Sequence, residues 1–164
     1  MLVMKYCLAF LFTFALYGAE YSTYTRCSDP RTGEQVRVVN DSRLDNIGYA
    51  QMGPRGYAVI VWNPTFANAL HPLLASFFAH HECAHIQLFH SLRVNKPYWT
   101  QSKEQEADCD AVGAMIDKGI LSGYDDYQFE ILKRELSKLQ PHSTHTHYAG
   151  YIRAYNLTNY CPFN

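Results

Sequence analysis

The most constraining feature of this sequence is a stretch of helical period that contains two histidines four residues apart. Apolar residues and histidines recur there at steps of three and four residues. This spacing predicts a helix from Pro72 to about His90, since proline suits the first turn of a helix, where its missing N–H is not needed. Positions i and i+4 lie on one face of a helix, so His81 and His85 can reach one point in space.

The residues His81-Glu82-Cys83-Ala84-His85 form the motif H-E-x-x-H. Two imidazoles on one helical face are suitable ligands for a transition metal, and zinc is the usual ion at such a pair. Glu82 lies about 100° round the helix from His81, beside the ion rather than on it. A general base for a metal-activated water belongs at that position. The motif therefore predicts metal-assisted hydrolysis with Glu82 as the base.

A second motif offers a third protein ligand for the ion. Glu104 and Asp108 form E-x-x-x-D at the start of another helical stretch, and eighteen residues separate Glu104 from His85. That length is enough for a helix end, a loop and a return. Glu104 would complete a set of two histidines and one glutamate around one Zn²⁺, with Glu106 as the first alternative. Asp108 lies on the same helical face and could accept the free N–H of a ligand histidine.

The remaining patterns predict the order of the secondary structure elements. Apolar alternation and apolar runs predict strands over 35–39, 46–52 and 57–62. Helices are predicted over about 102–119, 124–139 and 148–157, with Ser102 and Gln105 as a capping box. Strands followed by helices indicate an α+β fold, in which a small antiparallel or mixed sheet precedes a helical bundle that carries both motifs.

Composition and the N-terminal residues limit the environment of the protein. The 164 residues include 14 basic and 15 acidic side chains, and this balance excludes a basic nucleic-acid-binding surface. Lys5 precedes an apolar run of roughly 12 residues that ends in Gly18 and Ala19, which is typical of a secretory signal. We therefore predict a signal peptide over 1–19 and a single metallopeptidase domain over 20–164. The processed protein would be periplasmic or secreted, without stable membrane insertion, and the alternative is that the segment is kept as an uncleaved membrane anchor.

Four cysteines remain after the predicted signal, namely Cys27, Cys83, Cys109 and Cys161. An even number in an exported protein favours disulfides over buried free thiols, and four cysteines allow three pairings. Cys83 lies about 200° round the helix from His81 and so faces away from the metal. A Cys83–Cys109 bridge would join the two metal-bearing helices, and Cys27–Cys161 would then join the two ends.

These motifs resemble the zinc peptidases that include HtpX and the CAAX prenyl proteases, which are gluzincins with a glutamate as third ligand. The resemblance covers about residues 34–158, with the ligand helices matching over 73–85 and 103–114. Residues 46–50 are similar to the family's N-A-F-A segment. Residues 56–62 are similar to its glycine turn and edge strand, where an extended substrate would add by main-chain pairing.

The resemblance extends to a late segment that contains His147 and Arg153. The family has H-P-x-x-x-x-R there, and Tyr148 replaces the proline in this chain. It implies that the segment folds back beside the metal, where His147 could donate a hydrogen bond to the oxyanion. Arg153 would anchor its helix against a carboxylate. The family resemblance thus implies a zinc peptidase that acts on peptide or protein substrates.

Two alternatives remain open at this point. The chain could be a non-catalytic, zinc-binding exported protein on the same fold, although the intact Glu82 argues against it. His145-Thr146-His147 also forms an H-x-H pair, which is found among the ligands of peptidoglycan peptidases. The other histidines have simple structural interpretations: His80 is expected to be packed or at the surface, and His90 lies at a helix end. The oligomeric state is not predicted.

Overall fold

The structure, a computed structural model, describes residues 26–91, 100–123 and 126–161. Within them, three short strands come first and five helices follow, which confirms the predicted α+β class. The predicted signal peptide over 1–19 lies outside the described residues. A search of the described helices finds none that is both long and apolar enough to span a membrane.

The three strands form one mixed sheet. They are β1 (Arg37–Asn40), β2 (Gly48–Met52) and β3 (Ala58–Trp62), and their order in the sheet is β1-β3-β2. β3 pairs with β1 in parallel and with β2 in antiparallel orientation. The expectation that residues 56–62 form the edge strand is therefore wrong. All five residues of β3 are buried, because its uninterrupted apolar run fits a central strand covered on both faces.

Five helices follow the sheet, and four of them match the predicted ones. They are α1 (Pro64–Asn68), α2 (Pro72–Gln87), α3 (Gln101–Asp117), α4 (Tyr127–Ser137) and α5 (Gly150–Asn159). The short helix α1 was not predicted. It begins directly after β3, where the Asn63 side chain accepts a hydrogen bond from the Phe66 N–H and caps the helix.

The two ends of α3 show which local signals are reliable. The cap is Thr100, whose hydroxyl accepts from the Lys103 N–H, so the predicted capping box at Ser102 is wrong. The Ser102 hydroxyl instead donates to Glu106 one turn later. The predicted stop at Gly119 is confirmed, because this glycine has φ +68° and its N–H donates to the Ile116 carbonyl. A left-handed glycine after the last turn is the common way to end a helix.

Helix α2 lies at the centre of the molecule. It packs against α3, α4 and the sheet, and thirteen of its sixteen residues are buried. The largest fully buried side chains around it come from all the long helices and the connection after α3: Phe77, Phe129, Leu74, Ile86, Met115, Leu121, Leu132, Leu136 and Leu157. A helix buried on nearly every side carries its polar residues in a water-poor interior, so each of them needs a specific partner.

Two disulfides are present, but their pairing differs from the predicted one. They join Cys27 to Cys83 and Cys109 to Cys161. The expected Cys83–Cys109 and Cys27–Cys161 bridges are wrong for a geometric reason. The face of α2 that meets α3 is the face of the metal-binding motif, so a side chain turned away from that motif is also turned away from α3. Cys83 reaches the N-terminal segment instead, and Cys109 reaches the end of α5.

A close backbone approach fixes the loop that connects α4 to α5. The Gly150 N–H donates to the Gln140 carbonyl at 3.0 Å and so closes a loop of nine residues. A Cβ atom at position 150 would collide with the carbonyl oxygens of Leu136 and Leu139 at the end of α4. Only glycine allows this contact, which holds the His147 loop against the rest of the domain.

Candidate metal centre

Three side chains from α2 and α3 meet at one buried point. His81 Nε2 lies 3.1 Å from His85 Nε2, one turn further along α2. Glu104, in the first turn of α3, places one carboxylate oxygen 3.2 Å from His81 Nε2 and the other 3.4 Å from His85 Nε2. One ligand atom from each residue lies within 4.8 Å of the others, so the group could hold a metal ion.

Burial and mutual contact determine the charges of these three residues. Burial opposes ionisation of His81, but its contacts with Asp108 and Glu104 raise its pKa to about 9. Burial and the charge on His81 lower the pKa of His85 to about 4. Burial alone would raise the pKa of Glu104, yet the imidazoles of His147, His81 and His85 hold it well below the usual range. At neutral pH the metal-free site therefore contains one protonated histidine, one neutral histidine and one carboxylate.

Two buried atoms of this group have polar neighbours at hydrogen-bond distance, but the angles do not meet hydrogen-bond geometry. Within the described residues, His81 Nδ1 and Glu104 Oε2 have no aligned partner. His81 Nδ1 is nevertheless 2.8 Å from Asp108 Oδ1, and Glu104 Oε2 is 3.1 Å from His147 Nε2. His81 Nδ1 thus faces Asp108, on the edge of the ring opposite to Nε2, whereas Glu104 Oε2 is a buried carboxylate oxygen beside His81 Nε2 and His147 Nε2 that a cation can satisfy.

Asp108 connects the metal-binding group to α5. One of its oxygens faces His81 Nδ1, and both accept hydrogen bonds from Arg153, at 2.8 Å from Nε and 2.5 Å from Nη2. Burial raises the pKa of Asp108, but the Arg153 guanidinium and His81 lower it to about 2. Asp108 is thus a buried carboxylate that stays ionised and can accept the His81 N–H, which fixes the orientation of that ring.

Glu82 lies beside the metal-binding group without belonging to it. It is buried, with 6% of its surface exposed, and lines the same cavity as His81, His85 and Glu104. Burial raises the pKa of its carboxyl group, and the charge on His81 and a main-chain hydrogen bond from Ala50 in β2 oppose this only in part. A raised pKa makes the carboxylate a stronger base, which suits it to accept and return a proton.

The α4–α5 loop brings His147 to the Glu104 oxygen that also faces His81. His147 Nε2 is 3.1 Å from Glu104 Oε2, and its Nδ1 is 2.7 Å from the Thr146 hydroxyl. Its side chain is 41% exposed, in contrast to the buried ligand candidates. His145 is exposed, and neither histidine of the H-x-H pair belongs to the metal-binding group found among the described residues. The structure thus brings His147, but not His145, to the site.

An open cleft of about 990 Å³ leads to this group. One wall is the edge strand β2, and the polar lining includes the metal-binding group, Glu82 and His147. Apolar lining comes from β2, α1, α2 and two connecting segments and includes Met52, Phe66, Leu70, Phe78 and Leu139. A free strand edge, an apolar wall and a few convergent polar groups are the usual components of a site that binds an extended chain.

The structure also contains a site residue that the sequence did not reveal. His90, expected to be an ordinary residue at a helix end, is 6% exposed and its Nδ1 is 3.1 Å from Nδ1 of His85. By contrast, His80 is packed as expected, between the Ser76 carbonyl and the Lys118 ammonium. Burial lowers the pKa of His80 to about 4, so it is a neutral interior residue away from the metal-binding group.

Comparisons with known proteins give no match: no protein-family model fits the chain, and no curated protein or solved structure is similar to it. The resemblance to HtpX and the CAAX prenyl proteases therefore stays a prediction that rests on the motifs.

Proposed function

We propose that this protein is an exported zinc metallopeptidase of the gluzincin type, which hydrolyses peptide bonds in a peptide or protein substrate. The observation that supports this most is the placement of Glu82. It lines the same cleft as His81, His85 and Glu104, yet it is not one of the three residues that can hold the ion. A site that only bound a metal would not require this carboxylate.

The donor set favours zinc. Two imidazole nitrogens and one carboxylate oxygen are the protein ligands of many catalytic zinc sites, which keep a fourth position open. The three ligand side chains are at most 4% exposed, while the cleft gives access from one side. Zinc held there would act as a Lewis acid and lower the pKa of a water molecule toward neutrality.

The chain's own residues would then perform proton transfer and charge stabilisation. Glu82 would take a proton from a water molecule in the cleft and later give it to the leaving amine. His147 Nε2, which lies 3.1 Å from Glu104 Oε2, would donate a hydrogen bond to the substrate carbonyl oxygen as it gains negative charge. Asp108 would keep the His81 ring in its binding orientation.

The cleft wall indicates how a substrate would be held. Among the described residues β2 pairs with β3 alone, so its other edge has main-chain groups available to pair with an extended peptide. The apolar side chains of Phe66, Leu70 and Phe78 line the same cleft and would accept an apolar substrate side chain. We therefore expect extended peptides with an apolar residue near the scissile bond to be the preferred substrates.

The two disulfides support export of the protein. Cys27–Cys83 and Cys109–Cys161 each fasten a peripheral segment to a helix that carries the site. Disulfides with such a structural role form and persist in oxidising compartments. This agrees with the predicted signal peptide and with a periplasmic or secreted location.

The decisive experiment is a digest of a peptide library by the purified protein, with and without a chelator. Wild type is compared with Glu82→Gln, and Glu130→Gln on the exposed side of α4 is the matched control. We expect one zinc per chain in all three proteins, cleavage by wild type and by the control, and none by Glu82→Gln or after chelation.

Two outcomes would contradict the proposal in different ways. Zinc binding without cleavage of any library peptide by wild type would favour the non-catalytic, zinc-binding protein. Cleavage by Glu82→Gln at the wild-type rate would show that the general base has been assigned to the wrong residue.

A further inference from the structure

The end of α2 folds His90 back onto the second ligand histidine. After Gln87 the chain turns through Phe89, whose φ of +61° is unusual for a bulky residue. This turn lets the His90 N–H donate to the His85 carbonyl at 2.8 Å, and the Ser91 N–H donates to the same oxygen at 3.3 Å. Main-chain hydrogen bonding alone therefore holds His90 close to His85, and the contact between the two rings is additional.

The ring of His90 then meets the edge of His85 that faces away from the metal-binding group. His85 Nδ1 is 3.1 Å from His90 Nδ1, while His85 Nε2 faces His81 and Glu104. The other nitrogen of His90, Nε2, is 3.2 Å from Glu106 Oε2. The three side chains form a row that begins at Glu106 on α3, passes through His90 and ends at the metal-facing ring of His85.

Only one arrangement of protons satisfies every contact in this row when His85 Nε2 gives its lone pair to a cation. A neutral imidazole that binds through Nε2 must carry its proton on Nδ1. His90 Nδ1, at 3.1 Å from His85 Nδ1, lies in reach to accept that proton. His90 must then carry its own proton on Nε2, where the Glu106 carboxylate accepts it.

We propose that His90 is a positioning residue for the metal centre, which holds His85 in the tautomer and ring orientation needed for metal binding and is itself oriented by Glu106. The inference rests on the proposed metal centre but not on peptidase activity. It explains why a buried histidine is placed against a ligand histidine through a strained turn. It also gives each ligand histidine its own acceptor: Asp108 for His81 and His90 for His85.

The row also shows that His90 is not a fourth ligand. Its nearest ring nitrogen approaches Nδ1 of His85, on the edge opposite to Nε2. An ion bound by His81, His85 and Glu104 therefore lies on the far side of the His85 ring from His90. His90 can act on the ion only through His85.

The test compares the zinc affinity of variants by competition with a chelator. His90→Ala removes the acceptor, and we expect a 10–100-fold loss of affinity, the usual effect of removing a partner of a ligand histidine. His90→Asn keeps an acceptor oxygen near the position of Nδ1 and should recover most of that loss. His80→Ala removes another buried histidine of α2, one that does not contact the metal-binding group, and should bind zinc like wild type.

A second measurement uses the wild-type protein and does not depend on any variant folding. Nitrogen-detected NMR of the zinc-loaded chain should show His85 protonated on Nδ1 and His90 protonated on Nε2. Finding His90 protonated on Nδ1 would overturn the proposal, because two protons would then lie between nitrogens 3.1 Å apart.

The outcomes separate this inference from the proposed function. If wild type binds zinc and His90→Ala binds it equally well, the positioning role is refuted and the metal centre stands. An equal loss in His80→Ala would also refute it, since the effect would then be a general weakening of α2. If wild type binds no zinc, the metal centre itself is refuted.

Discussion

The buried pair of Arg153 and Asp108 allows a stability prediction whose size follows from burial. The two side chains are 9% and 4% exposed and share two hydrogen bonds. Arg153→Met keeps much of the side-chain volume but leaves the buried Asp108 carboxylate with His81 as its remaining cationic contact. Removing one partner of a buried pair typically costs about 3–5 kcal/mol when the remaining charge is uncompensated, and the protonated His81 places this variant at the lower end of that range. We expect the free energy of unfolding to fall by about that amount.

The pKa of Asp108 expresses the balance of forces on this carboxylate. Burial raises it, but Arg153 and His81 lower it from 3.8 to about 2, a net change worth roughly 2.4 kcal/mol. Because the folded-state pKa is the lower one, the ionised carboxylate stabilises the folded protein above about pH 4. This contribution is lost as the pH falls through about 2. Arg153→Met should therefore lose stability mainly at neutral pH, and its difference from wild type should narrow in acid.

Urea denaturation of the metal-free, disulfide-intact protein measures this effect. Arg43→Met is the matched control, since Arg43 makes the same two-bond contact with Asp41 on the surface, where its side chain is 90% exposed. We expect no resolved change in that variant, because exposed pairs contribute little. Arg153→Met combined with Asp108→Asn should recover part of the loss. If Arg153→Met were no less stable than the Arg43 control, the argument from burial would be refuted.

Two further predictions concern the metal centre. Zinc binding at pH 7.5 should release about one proton, because the pKa of His81 is raised to about 9 in the metal-free protein and zinc must displace that proton. The zinc affinity should then rise about tenfold per pH unit between 7 and 9. Calorimetry in buffers of different ionisation enthalpy measures the number of protons released, and the absence of proton release would contradict the prediction. His147→Ala should keep its zinc and lose about 10²–10³-fold in kcat, whereas loss of zinc would favour the H-x-H ligand hypothesis.

Much of the fold could be predicted because its signals are local. The recurrence of apolar residues and histidines every three or four residues predicted α2. Gly119 predicted the end of α3, because the left-handed conformation there favours glycine. The two motifs also predicted which residues would meet, since His81 and His85 share a helical face by geometry alone. Asp108 and Arg153 lie 45 residues apart, and the sequence predicted a carboxylate partner for Arg153 without indicating that it would be Asp108.

The errors occur where the outcome depends on non-local packing. The run of five apolar residues in β3 fits either an edge or a central strand until the positions of β1 and β2 are known. The disulfide pairing depends on which face of α2 meets α3, and the spacing of the cysteines carries no such information. Glu104 brings α3 to the face of α2 that carries His81. Cys83 lies about 200° round the helix from His81, so it cannot reach Cys109 on α3.

The role of His90 could not be predicted for a different reason. Its position depends on the left-handed conformation of Phe89, and no sequence rule predicts that conformation for phenylalanine. The only available signal was the presence of a histidine five residues after a ligand histidine. That spacing does not place two side chains together in a continuous helix.

The location of the bound ion tests the central claim most directly. A crystal of the zinc-loaded protein, measured on both sides of the zinc absorption edge, gives the ion's position without reference to any assumed ligand. We predict one anomalous peak per chain, at about 2.0–2.2 Å from His81 Nε2, His85 Nε2 and a carboxylate oxygen of Glu104. A peak at His145 and His147, or no zinc in the cleft, would contradict it.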